Sequence, residues 1–99
     1  MAQFDVYEIR STGGIAINCQ SDLLGDIATC LIVPLIPRAE ANWTMPRLAP
    51  VVQFNGNDYV LATPLVAGVR TNELRGPIGS LAAHRHDIIG AFDLLLTGV

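Results

Sequence analysis

Helical periodicity is confined to the C-terminal end of this chain, and that restriction limits the folds it can adopt more than any other feature. Residues 81–96 contain no proline, and their apolar side chains recur at the three- and four-residue spacing of one helix face. That stripe consists of Ile88, Phe92, Leu95 and Val99. Gly98 is placed to end such a helix, because glycine readily adopts the left-handed conformation found there. We therefore predict a single helix over residues 81–96.

The rest of the sequence carries strand and turn patterns. Apolar and small or polar residues alternate after Gly13-Gly14, which predicts a hairpin with the preceding strand. Asn55-Gly56 indicates a second hairpin, since both central residues of a type I′ turn need positive φ. The predicted fold is α+β and mainly β. We predict antiparallel strands over 2–9, 15–19, 29–35, 51–54, 58–62 and 65–69, with connections over 20–26, 37–50 and 70–79.

The third predicted strand, over residues 29–35, is apolar on both faces. A strand buried on both faces belongs in the middle of a sheet, so we expect a central position for it. Pro34 has no N–H to donate to a strand ladder. The strand is therefore expected to end or bulge near Pro34.

Size and charge bound the classes of function. A chain of 99 residues predicts one domain around one core, residues 1–99. Hydrophobic residues make up 51% and charged residues 15%, so part of the surface is expected to be covered by a partner or a second copy. Nine acidic residues against six basic ones give a net charge of −3. That balance argues against a protein that grips nucleic acid through its phosphates.

Neither the first residues of the chain nor its apolar runs indicate a membrane protein. The first ten residues include Asp5 and Glu8 and lack the basic start and apolar run of a targeting segment. The longest apolar run, over residues 30–36, is interrupted by Pro34 and is too short to span a bilayer. We expect a cytoplasmic protein with no membrane partner.

The sequence contains no pattern that demands catalysis. His84, His86 and Asp87 form its one metal-like cluster, but residues two apart on a helix point in different directions, which favours a solvated first turn. Cys19 and Cys30 lack metal-ligand spacing and are expected to be reduced, buried thiols. No nucleophile motif or phosphate-binding glycine loop is present. We predict no catalytic residue, no metal and no cofactor.

Three apolar features suggest contact with a partner, and for the first two a purely structural role is also open. Trp43 lies in a proline-bounded loop, where it is either an interface anchor or a lid over a small cluster. Leu23-Leu24 falls in a connection, and one of the pair either fills the core or stays free for a partner. Residues 94–96 are all leucine. Three consecutive leucines make a helix apolar around more of its circumference than packing on one sheet requires. This last feature favours burial against a second chain or a partner.

A series of short motifs in fixed order resembles the CcdB family, the toxin half of the CcdA–CcdB toxin–antitoxin system. Each motif alone is weak, but their collinear series extends over essentially the whole chain. The motifs are Gln3-Phe4-Asp5-Val6-Tyr7, Gln20-Ser21-Asp22-Leu23-Leu24, Ile32-Val33-Pro34-Leu35, Leu48-Ala49-Pro50-Val51-Val52, Asp87-Ile88-Ile89 and Thr97-Gly98-Val99.

The resemblance implies a fold and a function. The implied fold is the SH3-like barrel shared by the CcdB, Kid and MazF toxins, with a small extra sheet and a C-terminal helix. The implied function is that of a homodimeric toxin that binds the DNA gyrase A subunit and traps the gyrase–DNA cleavage complex without catalysis. A CcdA-like antitoxin, acting through a disordered C-terminal tail, is the expected neutralising partner.

The resemblance also assigns roles to single residues. The implied gyrase-binding residues are an apolar pair and the end of the helix, namely Leu23, Leu24, Asp93, Leu96, Thr97, Gly98 and Val99. We assign Trp43 to antitoxin binding. The best-studied plasmid-borne member has a tryptophan just before its final glycine and isoleucine, and this chain has Thr97 there. Threonine cannot stack on an arginine as tryptophan does.

Two other functions remain alternatives. The departure at Thr97 fits a weakly toxic or non-toxic relative that binds its antitoxin and helps to regulate its operon. A MazF-like endoribonuclease on the same scaffold is disfavoured, since it would need cationic groups to hold RNA, and the chain has six basic residues against nine acidic ones.

Overall fold

The computed structural model describes residues 2–42 and 45–98. Within these residues, seven strands precede one helix, and 3₁₀ turns over Asp22–Leu24, Arg38–Glu40, Thr63–Leu65, Thr71–Glu73 and Ala82–His84 join some of them. The strands are β1 (Asp5–Ile9), β2 (Ile15–Asn18), β3 (Thr29–Pro37), β4 (Val51–Phe54), β5 (Asn57–Leu61), β6 (Ala67–Arg70) and β7 (Leu74–Ser80), and the helix is α1 (Arg85–Thr97).

The strands form one antiparallel sheet that curls on itself. Its order is β4-β5-β3-β2-β1-β7, and β6 pairs with β3 beside this path. The two outermost strands nevertheless meet, because the Phe54 ring of β4 lies against Gly79 of β7. This mainly β structure, with one curled antiparallel sheet and one C-terminal helix, confirms the predicted fold class.

Strand β3 is central, as its two apolar faces predicted, but the expectation at Pro34 was wrong. The strand continues through Pro34 to Pro37. On one side β3 pairs first with β6, through Ile32, and then with β5, from Leu35 onward. Pro34 lies between these two partners, so its missing N–H costs no ladder bond on that side.

The strand period sorts apolar side chains onto two faces of the sheet. Neighbours on β1, β2 and β3 alternate between a main core and a smaller second cluster. The helix covers the main core through Ile88 and Ala91, both fully buried. The second cluster, on the opposite face, consists of Tyr7, Ala16, Cys30, Ile32 and Leu74.

Several predicted boundaries need correction. Residues 70–79 were predicted to be a connection, but Leu74–Ser80 is an edge strand in which glycine and proline are tolerated. The last predicted strand lies over Ala67–Arg70 rather than 65–69. The helix begins at Arg85, since Ala82–His84 forms a 3₁₀ turn. The Asn55-Gly56 turn is confirmed, with φ of 52° and 79°.

Candidate functional site

The Leu23-Leu24 pair is held outside the core. A 3₁₀ turn over Asp22–Leu24 is capped at its start, where the Leu23 N–H donates to the Ser21 hydroxyl at 3.2 Å. Leu23 is 93% exposed and Leu24 47% exposed. The interpretation in which one leucine fills the core is therefore wrong. Exposing two large apolar side chains on a capped turn leaves both free to contact a partner.

Gln3 ties this turn to the rest of the molecule. Its backbone N–H donates to the Asp22 carboxylate at 2.6 Å, and its side-chain amide donates to the Cys19 carbonyl at 3.1 Å. Its side-chain oxygen accepts a hydrogen bond from the Arg85 guanidinium at 3.1 Å. One residue near the N-terminus thus fixes both the Asp22–Leu24 turn and the first residue of α1.

Arg85 also lies over an aromatic ring. Its guanidinium carbon is 5.6 Å from the centroid of the Phe4 ring, within range of a cation–π interaction. Phe4 itself is buried and has a positive φ of 70°, a conformation that bulky residues rarely adopt. Gln3, Phe4 and Arg85 were not predicted from the sequence as site residues. The Gln3-Phe4 motif could have pointed to this part of the site. Its contact with Arg85 was not predictable from a local pattern, because Gln3 and Arg85 are 82 positions apart in sequence.

The exposed face of α1 continues the site towards the C-terminus. A groove of about 430 Å³ follows this face from Arg85, past Ile89 and Gly90, to Asp93. Beyond it, Leu96 is 78% exposed. These residues form one open strip along the helix, with charged groups at both ends of the groove and apolar Ile89 between them.

The helix ends as the sequence predicted. Gly98 is left-handed, with φ of 77°, and its N–H donates to the Leu94 carbonyl at 2.9 Å. The Thr97 hydroxyl donates to the Asp93 carbonyl at 2.6 Å. The two contacts hold the last turn of the helix, and Thr97 and Gly98 are both exposed.

The predicted site residues therefore do not converge on one pocket. Gln3 contacts both the Asp22–Leu24 turn and Arg85, so Leu23 and Leu24 lie near the start of α1. Leu96 lies at the other end of the helix, about 16 Å from Arg85 along the axis. We call the set Leu23, Leu24, Asp93, Leu96, Thr97 and Gly98 the candidate surface. The remaining predicted residues, Trp43 and Val99, lie outside the described part of the chain.

Acidic groups flank the apolar parts of the candidate surface. Asp22 and Asp26 stand beside the Leu23-Leu24 pair in sequence, and Asp93 stands one helix turn before Leu96. Arg85 is the basic residue between them, and it is already engaged by Gln3 and Phe4. An apolar centre with a negative rim suits a partner surface that is apolar and basic.

Within 2–42 and 45–98, no three His, Cys, Asp or Glu side chains are grouped so that they could hold a metal ion. His84, His86 and Asp87 thus do not form such a group. The described helices include none with the length and apolar character needed to cross a bilayer.

Comparison with known proteins decides the family. The family model described as CcdB protein matches residues 3–98. The chain belongs to the CcdB family. It is accordingly the toxin of a toxin–antitoxin system, and an antitoxin is one of its partners. A search of curated proteins found no match to the chain. In this CcdB-family member the motifs that carried the resemblance include the Asp22–Leu24 turn, the Gln3-Phe4 segment and the end of α1.

Proposed function

We propose that this CcdB-family toxin binds the A subunit of DNA gyrase through the candidate surface and traps the gyrase–DNA cleavage complex. The observation that carries the proposal is the exposure of Leu23 and Leu96, two large apolar side chains on structured elements. Such side chains are typical anchors of a protein–protein interface, since a partner gains free energy by removing them from water.

The structural supports of the candidate surface favour binding without large rearrangement. The Asp22–Leu24 turn is held by the Ser21 cap and by Gln3, and the helix end is held by the Leu94 and Asp93 carbonyls. A surface that is ordered before binding loses little conformational entropy when the partner docks. In this proposal the toxin supplies a rigid contact, and gyrase supplies all of the DNA chemistry.

The acidic flanks determine which charge the partner surface should carry at the proposed interface. With Asp22, Asp26 and Asp93 beside the leucines, a basic partner surface is attracted and an acidic one is repelled. Screening by salt reduces such an attraction between exposed charges. We therefore expect the association rate with gyrase to fall as ionic strength rises.

We propose that the antitoxin neutralises the toxin by competing for part of the same surface. A disordered tail can cover an extended strip such as the exposed face of α1, because it folds onto its partner during binding. We place this encounter in the cytoplasm, where gyrase and its DNA substrate are found. Trp43 is retained as the proposed antitoxin contact.

The experiment is a binding titration of purified gyrase A subunit with matched toxin variants. Leu23→Asp and Leu96→Asp each place a charge where the proposal puts an apolar contact, and each should weaken binding at least about tenfold. Leu65→Asp is the control, since Leu65 is also exposed, at 52%, and also lies in a 3₁₀ turn. It should leave the affinity within about twofold.

Two results would contradict the proposal. One is a wild-type toxin that binds its antitoxin but not gyrase, which would favour the non-toxic relative. The other is equal weakening by Leu65→Asp, which would show that the candidate surface is not the contact. Thermal unfolding of all three variants, followed by circular dichroism, establishes that each is folded in the assay.

A further inference from the structure

A cleft opens between β1 and β7, on the face of the sheet opposite α1. Val6 pairs with Gly79 and Glu8 pairs with Arg75, so the single residue Tyr7 faces three residues of β7. A strand that carries extra residues bends away from its neighbour. Here the bend leaves a cleft of about 460 Å³, lined mainly by Asp5, Tyr7, Thr71, Leu74 and Pro77.

Three polar groups at this cleft have no partner among the described residues. The Asp5 carboxylate, the Tyr7 hydroxyl and the Thr71 hydroxyl make no side-chain hydrogen bond within 2–42 and 45–98. The ion pair found in those ranges joins Arg38 and Asp58, so Asp5 is not neutralised by a basic side chain there.

The Tyr7 hydroxyl reaches solvent although the residue is almost completely buried. Tyr7 is only 4% exposed, yet none of the buried side-chain oxygens or nitrogens of the described residues lacks a partner. The hydroxyl must therefore be accessible, and Tyr7 lines the cleft. A buried ring with an accessible hydroxyl presents one polar atom at the wall of the cleft.

The electrostatic character of the cleft is negative. Burial raises the pKa of Tyr7, and the nearby Asp5 carboxylate raises it further, followed by Cys30. Tyr7 therefore stays protonated at neutral pH, where its hydroxyl is neutral and the Asp5 carboxylate supplies negative charge. An anionic ligand would be repelled, and a cationic hydrogen-bond donor would be attracted.

We propose that this cleft binds the guanidinium group of an arginine side chain from a partner polypeptide. Guanidinium carries five N–H donors in one plane and no acceptor, which matches the oxygens of Asp5, Tyr7 and Thr71. Leu74 and the Pro77 ring supply apolar wall for the methylene stem of the same side chain. An ammonium group is a compact point charge with three donors and cannot contact separated oxygens in one plane as well.

This site is separate from the α1 part of the proposed gyrase contact. Tyr7 and Leu74 belong to the second cluster, whereas α1 packs on the main core at the other face of the sheet. Thr71 also lines a small cavity beside Leu24, and Asp5 does not, so Asp5→Asn is the variant that should leave gyrase binding unchanged. The two proposals can fail separately.

The test titrates N-acetyl-arginine amide into isotope-labelled full-length protein and follows backbone amide resonances. We expect saturable shifts centred on Tyr7, Thr71 and Leu74, with an affinity in roughly the millimolar range because only one side chain binds. The uncharged isostere N-acetyl-citrulline amide should give no saturable shift. The Nα-acetyl amide of lysine should bind several-fold more weakly than that of arginine.

Matched variants test whether the Asp5 carboxylate binds the guanidinium group. Asp5→Asn keeps the shape and removes the charge, and it should weaken arginine binding about tenfold or more. Asp87→Asn makes the same charge change at an exposed residue on α1, at the other face of the sheet, and should leave binding unchanged. Thr71→Val, which keeps the side-chain volume, should weaken it several-fold. Absence of localised shifts, equal binding by Asp5→Asn, or equal binding of lysine would each overturn the proposal.

Discussion

Phe54 and Gly79 lie in direct contact across the two outermost strands of the sheet. A β-carbon added to Gly79 would stand 2.7 Å from the Phe54 Cζ atom, which is closer than two non-bonded carbon atoms normally approach. The absence of a side chain at Gly79 is therefore what lets β7 come up against the ring and the curled sheet close around the main core.

Gly79→Ala should destabilise the fold by about 1–3 kcal/mol, since an extra methyl group forces the packed ring to shift. Gly68→Ala is the control, because a β-carbon at Gly68 would meet no atom within 4 Å. Urea denaturation measures both. Adding Phe54→Leu to Gly79→Ala should recover part of the loss, and a Gly79→Ala protein as stable as wild type would contradict the proposed closure.

The two cysteines should be reduced and slow to react. Cys19 packs against the main core and Cys30 belongs to the cluster on the opposite face, and both are free thiols. Burial raises the pKa of Cys19 from 9.0 to about 12, so at pH 8 its thiolate fraction is about a thousandfold below that of an ordinary cysteine. Titration with a chromogenic disulfide should detect two thiols promptly only in denaturant.

The same pKa shift makes stability depend on pH. Since the Cys19 pKa is higher in the folded than in the unfolded state, the folded state binds the proton more tightly. Its contribution to the free energy of unfolding is complete below about pH 9 and is lost as pH rises towards 12. The urea midpoint of wild type should therefore fall more between pH 8 and 10.5 than that of Cys19→Ala. Equal falls would contradict this assignment.

Removing residues 97–99 should separate binding from folding. Thr97 and Gly98 are exposed and make only local contacts with the last helix turn, so their loss should cost roughly 1 kcal/mol or less. Binding to the gyrase A subunit should nevertheless fall strongly. Thr97→Trp makes the opposite change and should tighten binding by about 0.5–2 kcal/mol if an arginine stacks on the new ring. Unchanged binding by both variants would contradict a role for this end of the chain.

We expect two copies of the chain to associate with their C-terminal helices near the two-fold axis. Leu95 is more than one-third exposed on α1, on a different side of the helix from the strip that contains Ile89, Asp93 and Leu96, and a symmetric contact would remove it from water. Sedimentation at micromolar concentration should give about twice 10.6 kDa. A Leu95→Asp variant should shift the protein towards the monomer, and a wild-type monomer would refute the expectation.

Local sequence patterns were sufficient where local conformation decides structure. Asn55-Gly56 and Gly98 were recognised because each position needs a positive φ that few residues adopt. Strand β7 was missed because Gly76, Pro77 and Gly79 resemble a connection. Its conformation depends instead on pairing with β1, about 70 residues away in sequence, and that pairing is not visible in a local pattern.

The candidate site likewise combines residues that the sequence indicated with contacts that depend on the three-dimensional fold. The Leu23-Leu24 pair and the helix end were selected through the family resemblance, and the residues that hold them were not. Gln3 and Arg85 are 82 positions apart, and their contact depends on how β1 and α1 pack in three dimensions. The cleft beside Tyr7 likewise depends on a register shift between two strands that no single segment encodes.

The most direct test of the central claim is a DNA cleavage assay with gyrase, ATP, supercoiled plasmid and the purified toxin. After detergent and protease treatment, wild-type toxin should leave linear plasmid in an amount that rises with toxin concentration. Leu23→Asp should leave none at the same concentrations, and added antitoxin should suppress the linear product of wild type. Normal supercoiling with no linear plasmid, at toxin concentrations that saturate the antitoxin, would contradict the account.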